Sequence, residues 1–241
     1  SEIFVGSTFI YGFTTGSFFA ILAVGSTVFS KNLGIESTGF GLIWSSLTIL
    51  YASASFYAGS LTARIGLMRV LNLGVTFNLI AGFLFALLIY HTGTNIYSII
   101  LPLSLMFFAH GFIVSMSMAK AVSDFPNIAG ASSGLSSSLG LVTGGLFSIL
   151  SGSIYSGEFF PIAIIVWLST CFCYLCFLLV RLGEKKKSLQ LSYPILPGLA
   201  IPIHASTINK THMLSTKILA LSKLAFISIS SASLMLSVAI L

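Results

Sequence analysis

The chain has 241 residues, of which 56% are hydrophobic and only 7% charged, and its mean hydropathy is +1.05. A soluble globular domain is about 45–50% apolar and about 25% charged. Because so few charges cannot cover this much apolar material, the composition argues against soluble enzymes, nucleic-acid-binding modules and disordered regulators. It predicts an integral membrane protein whose surroundings are the lipid bilayer.

Polar and charged breaks divide the chain into six apolar stretches. A bilayer core of about 30 Å needs about 20 apolar residues in a helix. Backbone groups in lipid must be satisfied within the segment, which favours helices over strands. The pattern therefore predicts an all-α bundle of six transmembrane helices, at approximately residues 3–29, 39–61, 67–90, 96–118, 128–155 and 159–180.

The net charge of +6 orients these spans and does not indicate a nucleic-acid partner. Loops on the cytoplasmic side of a membrane carry an excess of Lys and Arg. The basic residues follow the second, fourth and sixth spans: Arg64, Arg69, Lys120, Arg181, Lys185, Lys186 and Lys187. We therefore expect a multi-pass protein of the cell membrane (inner or plasma membrane) with a cytoplasmic N-terminus.

Small residues recur at helical spacing and predict where helices approach each other. The strongest face is in the fifth span and consists of Gly130, Gly134, Ser137, Gly145, Ser148 and Gly152. A weaker face in the first span consists of Gly12, Gly16, Ala20 and Ala23. Another in the second span consists of Ala52, Ser55 and Gly59. Two interpretations stay open, namely static packing and a smooth surface on which helices slide or rock.

Polar side chains on two spans are candidates for lining a path. Tyr11, Thr15 and Phe18 share one face of the first span, and His110 and Ser117 lie two turns apart on the fourth. Apart from tyrosines and cysteines, His110 is the only ionisable residue well inside a span. Such residues usually face the bundle interior or water, so His110 is either a neutral packed histidine or a group that contacts protons or substrate.

Nothing in the sequence indicates an enzyme, a metal site or a cofactor. Cys171, Cys173 and Cys176 fall in one apolar stretch without a nearby His or carboxylate, which favours packing over metal binding. No Asp or Glu lies inside the six spans, and no Ser-His-Asp arrangement or phosphate-binding loop is present.

Two motifs and one shorter segment resemble the major facilitator superfamily. Gly59-Ser-Leu-Thr-Ala-Arg64-Ile-Gly66-Leu-Met-Arg69 resembles its G-x-L-x-D-R-x-G-R-K loop, with alanine at position 63 in place of Asp and Leu-Met in place of the basic pair. Pro126-Asn-Ile-Ala129-Gly130-Ala-Ser-Ser-Gly134-Leu resembles the opening of span eleven in Bcr/CflA-type drug:proton antiporters. Phe-Gly-Leu at 40–42 is similar to their entry into span eight.

The resemblance covers residues 1–187 and implies the C-terminal six-helix half of such a transporter, made of two inverted three-helix units. It implies proton-coupled efflux of small amphipathic compounds through a path shared with an N-terminal six-span half, on the same or a separate chain. Gly59, Arg64, Gly66 and Arg69 would form the cytoplasmic gating loop. Pro126, Ala129, Gly130, Gly134 and Gly145 would support packing or rocking.

Residues 188–241 depart from this pattern, because they combine prolines with a Ser-rich apolar run where a polar tail is expected. They form either an extra span or interfacial helix, or non-native read-through sequence. Together with the start at Ser1, this favours a fragment of a split or broken gene. The alternative function is a non-transporting membrane assembly subunit or an inactive remnant.

Overall fold

The computed structural model describes the backbone of residues 2–192 and the side chains of residues 2–189. Within this part of the chain the protein consists of α-helices and one short 3-10 turn, Pro126–Ile128. The helices are α1 (Glu2–Leu33), α2 (Ser37–Ile65), α3 (Leu67–Thr92), α4 (Ile96–Ser123), α5 (Ala129–Ile154) and α6 (Phe160–Ser192). Each is long and apolar enough to cross a membrane. The chain therefore has the all-helical, multi-pass architecture that its hydropathy predicts.

Glycine and a capping asparagine make the tight connections on either side of α3. Gly66 joins α2 to α3 at a φ of 88°, a left-handed conformation that other residues rarely adopt, and its N–H donates to the Thr62 carbonyl. At the other end, the Asn95 side chain accepts from the backbone N–H groups of Tyr97 and Ser98. This capping box satisfies donors that the first turn of α4 leaves free.

The apolar core occupies one end of the bundle. It is formed by the C-terminal half of α1, the C-terminal half of α3 and the N-terminal halves of α4 and α6. Its largest members include Phe29, Phe85, Phe107 and Phe159, all less than 5% exposed. Thr14, Ser17 and His110 are buried polar side chains near the middle of α1 and α4, which is where the candidate site lies.

Helix α1 is the most buried of the six, and it packs on α5 through small residues on both helices. Added Cβ atoms at Gly12 and Gly16 would meet Thr143 and Phe147 of α5. Further along, the Ser151 hydroxyl donates to the Ala20 carbonyl at 2.7 Å. The predicted use of Gly12, Gly16 and Ala20 for packing is thus seen, whereas Ala23 is exposed.

The glycines of the packing face predicted for α5 do not meet another described helix. Gly130, Gly134, Gly145 and Gly152 are exposed, and nothing in the described chain lies within 4 Å of a Cβ built on them. The face of α5 that packs against α1 is instead formed by Ser132, Ser136, Gly140, Gly144 and Ser151, which are all buried. Because α5 carries small residues on two faces, their spacing did not identify the one that receives Tyr11 and Phe19 of α1.

The face predicted for α2 is seen in part, because the Ser55 hydroxyl hydrogen-bonds the Ser115 hydroxyl of α4 at 2.5 Å. Ala52 and Gly59 are exposed, and α2 packs on α4 through Ala54 and Ala58. The small residue that permits this approach is on the partner helix. A Cβ at Gly111 would come within 2.6 Å of the Tyr51 carbonyl oxygen.

The described residues divide into two compact units, one of Ile3–Phe177 and one that contains Glu2 and the end of α6 from Leu178. In the second unit, Lys186 Nζ lies 3.7 Å from Glu2 Oε1, an exposed ion pair that contributes little to stability. Helix α6 continues past residue 187, the predicted end of the six-span region, to Ser192. The rest of the predicted 188–241 tail lies outside the described residues.

Candidate functional site

A cavity of about 280 Å³ opens at mid-depth between α1, α2, α4 and α5. Three aromatic side chains and two threonines of α1 form one wall, and α2, α4 and α5 supply the others. The lining residues are Tyr11, Thr14, Thr15, Phe18, Phe19, Thr48, Tyr51, Phe107, His110, Val114 and Leu141. All belong to the unit Ile3–Phe177.

His110 lies at the back of this cavity, near the middle of α4, and is 4% exposed. Its Nε2 lies 3.4 Å from Ser17 Oγ of α1. The Phe18 and Phe107 rings flank the imidazole, with ring centroids 6.4 and 6.3 Å away. The histidine is therefore held by one polar contact among aromatic neighbours, with part of the ring reaching the cavity.

The wall formed by α1 depends on the glycines of α5. A Cβ at Gly140 would overlap the Tyr11 ring, and one at Gly144 would come within 2.6 Å of Phe19. The Thr15 hydroxyl donates to the Tyr11 carbonyl at 2.8 Å, so its oxygen can only accept further bonds, and its methyl group lies toward Gly144. Glycine in α5 thus sets how close the aromatic wall stands to α5.

An aromatic cluster joins three helices beside the cavity. The Phe18 ring lies 5.4 Å from Trp44 of α2 and 5.5 Å from Phe107 of α4, and Trp44 lies 5.2 Å from Phe107 in an edge-on arrangement. Such arrangements contribute favourable contact beyond their buried area. The cluster makes Trp44 a neighbour of the cavity wall.

The chemistry of the lining is aromatic and neutral. It contains no Asp, Glu, Lys or Arg, and its groups able to titrate are Tyr11, Tyr51 and His110. Phenol and threonine hydroxyls supply hydrogen bonds at a few points on an otherwise apolar surface. This is the usual composition of a small-molecule pocket.

The structure brings four of the five predicted path residues together. Tyr11, Thr15, Phe18 and His110 all line the cavity. Ser117 does not: it is fully buried, and its hydroxyl points to the Val114 carbonyl, 3.4 Å away. The turn of α4 between His110 and Ser117 contributes Val114 to the lining instead.

Sequence reasoning missed the contribution of α2. Thr48 and Tyr51 line the cavity from one face of that helix, and their spacing of three residues is a signal that was available. Phe107 and His110 have the same spacing on α4. These pairs become recognisable as lining only when α2 and α4 are seen to face α1.

The two segments that carry the family resemblance lie away from the cavity. Arg64 and Arg69 are exposed on either side of the Gly66 turn, and Gly59 has open space where a Cβ would stand. The expected role of Gly59 in close helix approach is therefore not found within the described chain. Pro126 begins the 3-10 turn, and Ala129 begins α5.

The cysteines of α6 lie inside the bundle. Cys173 and Cys176 are buried and Cys171 is half-buried, and all three are free thiols. Residues 2–189 contain no group of three His, Cys, Asp or Glu side chains placed to hold a metal ion. The Cys173 thiol contacts Thr14 of α1 instead.

No protein-family model, curated protein or solved structure matches this chain.

Proposed function

We propose that this chain is the C-terminal six-helix half of a membrane transporter similar to the major facilitator superfamily. The observation that carries the proposal is the convergence of Tyr11, Thr15, Phe18 and His110 on one cavity. They come from two helices far apart in sequence. Secondary transporters place their substrate site near the bilayer midplane, between helical repeats.

A second helical bundle would complete the transport path. Both α2 and α5 contribute residues to the cavity lining, and these two helices are the least buried of the six. Their exposed glycines, Gly41 and Gly59 on α2 and Gly134 and Gly145 on α5, leave room for close approach by another helix. The partner is an N-terminal six-span half, and alternating access is the rocking of one bundle against the other. We place the protein in the cell membrane with its N-terminus in the cytoplasm.

The substrate is a small amphipathic compound, exported in exchange for protons. Aromatic walls accommodate a flat apolar body, while Tyr11, Tyr51 and Thr48 can bond to a few polar groups. His110 is the only lining residue whose side chain can take up a proton to become a cation. The N-terminal half is the source of any membrane carboxylate, because the described spans carry none in their middle.

Ligand binding by the cavity is the first test. Trp44 and Trp167 are the two tryptophans of the chain, so Trp167→Phe leaves Trp44 as the single reporter beside the cavity. Ethidium, an amphipathic fluorescent dye, is titrated into this variant in nanodiscs. We expect saturable quenching of Trp44, abolished by Phe18→Ala. Phe56→Ala is the matched control, because Phe56 is 89% exposed and lies away from the cavity. Linear, non-saturating quenching would contradict a binding site here.

Transport is tested by co-expressing the chain with its upstream reading frame and measuring dye efflux driven by an imposed pH gradient. We expect efflux that Phe18→Ala lowers and Phe56→Ala leaves unchanged. A chain that binds dye but moves none with any six-span partner would instead be the non-transporting subunit or remnant.

A further inference from the structure

The side chain of Asn78 is fully buried near the middle of α3, and neither its Nδ2 nor its Oδ1 has a hydrogen-bond partner. Its position is unusual, because buried amides are almost always paired with protein or with ordered water. The cost of an unpaired amide is greatest inside a membrane bundle, where bulk water does not reach. A further hydrogen-bonding partner for this amide would therefore be favourable.

Other polar groups meet Asn78 at the junction of α1, α3 and α6. The amide lies beside the Cys173 thiol of α6, outside the geometry of a full hydrogen bond. Cys173 Sγ in turn lies 3.4 Å from Thr14 Oγ1 of α1 and 3.8 Å from the Ile10 carbonyl oxygen. Thr14, Asn78 and Cys173 each lie near the middle of their helices. Three side chains that can form hydrogen bonds thus lie at a similar depth along the bundle.

The hydrogen-bond donors and acceptors at this junction do not satisfy one another. The Thr14 hydroxyl donates its proton to the Ile10 carbonyl at 2.8 Å, so its oxygen can only accept further bonds. The Asn78 amide brings two donors and an acceptor. A molecule that accepts from Nδ2 and donates to Thr14 Oγ1 would join them, and the thiol is too weak a partner to replace it.

The surroundings select a neutral occupant. The five acidic residues of the chain are Glu2, Glu36, Asp124, Glu158 and Glu184, and none lies in the middle of a helix. A cation at Asn78 would have no opposite charge to balance it, and an isolated charge in this setting is costly. A small neutral molecule with both donors and acceptors fits the groups present.

Close helix contacts seal the site from above and below. One turn before Asn78, a Cβ at Gly74 would come within 2.9 Å of Phe112, and one turn after it, a Cβ at Gly82 would come within 2.5 Å of Thr170. The route that remains passes Thr14, which both contacts Cys173 and lines the cavity. Exchange with the cavity would follow this route.

We propose that Asn78 binds a water molecule at the junction of α1, α3 and α6, with Thr14 as its second protein partner and Cys173 beside it. This water site lies where α1 meets α3 and α6, next to the cavity residue Thr14. It does not depend on the proposed transport function.

X-ray radiolysis tests the proposal, because a bound water gives hydroxyl radicals that oxidise the side chains next to it. The full chain is irradiated in nanodiscs, and oxidation of each cysteine is followed by mass spectrometry. Cys176 is the internal control, since it is also buried, at 7% exposed against 1% for Cys173. We expect Cys173 to be oxidised several times faster than Cys176, although it is the less exposed thiol.

Replacing the amide removes the bound water. Asn78→Leu is expected to lower the Cys173 rate to that of Cys176, and Asn72→Leu, a half-buried position on the same helix, to leave both rates unchanged. Equal rates for the two thiols in the unaltered chain would overturn the proposal, as would a fast Cys173 rate that survives Asn78→Leu. If Asn78→Leu does not fold, the comparison of the two thiols in the unaltered chain decides.

Discussion

Ser17 Oγ contacts both His110 Nε2, at 3.4 Å, and the Thr14 carbonyl, at 2.8 Å. A serine hydroxyl has one proton, and here it is donated to the carbonyl. The Ser17 oxygen is therefore the acceptor toward His110, which places the proton of a neutral imidazole on Nε2 and leaves Nδ1 as the acceptor. In this way α1 sets the tautomer of the one histidine in the cavity.

His110→Ala is expected to flatten the pH dependence of dye efflux by the complete transporter, with a smaller effect on folding. The reason is that His110 is the only lining residue whose side chain can take up a proton to become a cation. Efflux rates are measured across a pH series, with thermal unfolding in detergent as the folding check. His91→Ala is the control, since His91 is exposed at the end of α3. An unchanged pH profile in His110→Ala would remove this residue from the mechanism.

Gly140→Leu is expected to lower the stability of the described bundle, because the new side chain would overlap the Tyr11 ring. Overpacking of this kind costs about 1–3 kcal/mol. Gly134→Leu is the matched control on the same helix. Its position is open, so the thermal midpoint should stay close to that of the unaltered chain. The spacing of small residues alone predicts the opposite ranking, with Gly134→Leu as the disruptive change, so thermal unfolding of the two variants distinguishes the two faces of α5.

Ser151→Ala and Ser169→Ala are each expected to weaken the contacts of α1. Their hydroxyls donate to the Ala20 carbonyl at 2.7 Å and the Phe13 carbonyl at 2.8 Å. Hydrogen bonds between membrane helices average about 0.6 kcal/mol and reach about 1.7 kcal/mol. Ser153→Ala is the control, because that exposed hydroxyl bonds only within its own helix. Equal stabilities for all three variants, by reversible unfolding in mixed micelles, would count against these two bonds.

Asn95→Ala is expected to destabilise the start of α4 by about 1 kcal/mol, because two backbone N–H groups lose their acceptor. Hydrogen exchange at Tyr97 and Ser98 should become faster, while exchange in the middle of α4 stays slow. Asn127→Ala, in the exposed turn before α5, serves as the comparison. Unchanged protection at Tyr97 and Ser98 would show that the cap does not hold this end of the helix.

The sequence alone was enough to predict a membrane protein with six long apolar helices. Hydropathy averages over about 20 residues, so it does not depend on which residues meet. The turn at Gly66 is also a local feature, because it needs only a residue that is free to adopt a positive φ. Four of the five predicted path residues do line the cavity. They could be identified from the sequence because Tyr11, Thr15, Phe18 and His110 are polar or aromatic residues within predicted spans.

Tertiary structure decided which faces pack and what lies behind the cavity. In lipid, apolar and small surfaces are both tolerated on the outside of a helix, so composition does not show which face of α5 is buried. The choice of Gly140 over Gly134 depends on the shape of Tyr11, a residue of a different helix. The position of Cys173 beside both Asn78 and Thr14 likewise exists only once α1, α3 and α6 meet, because no local pattern relates residues so far apart in the chain.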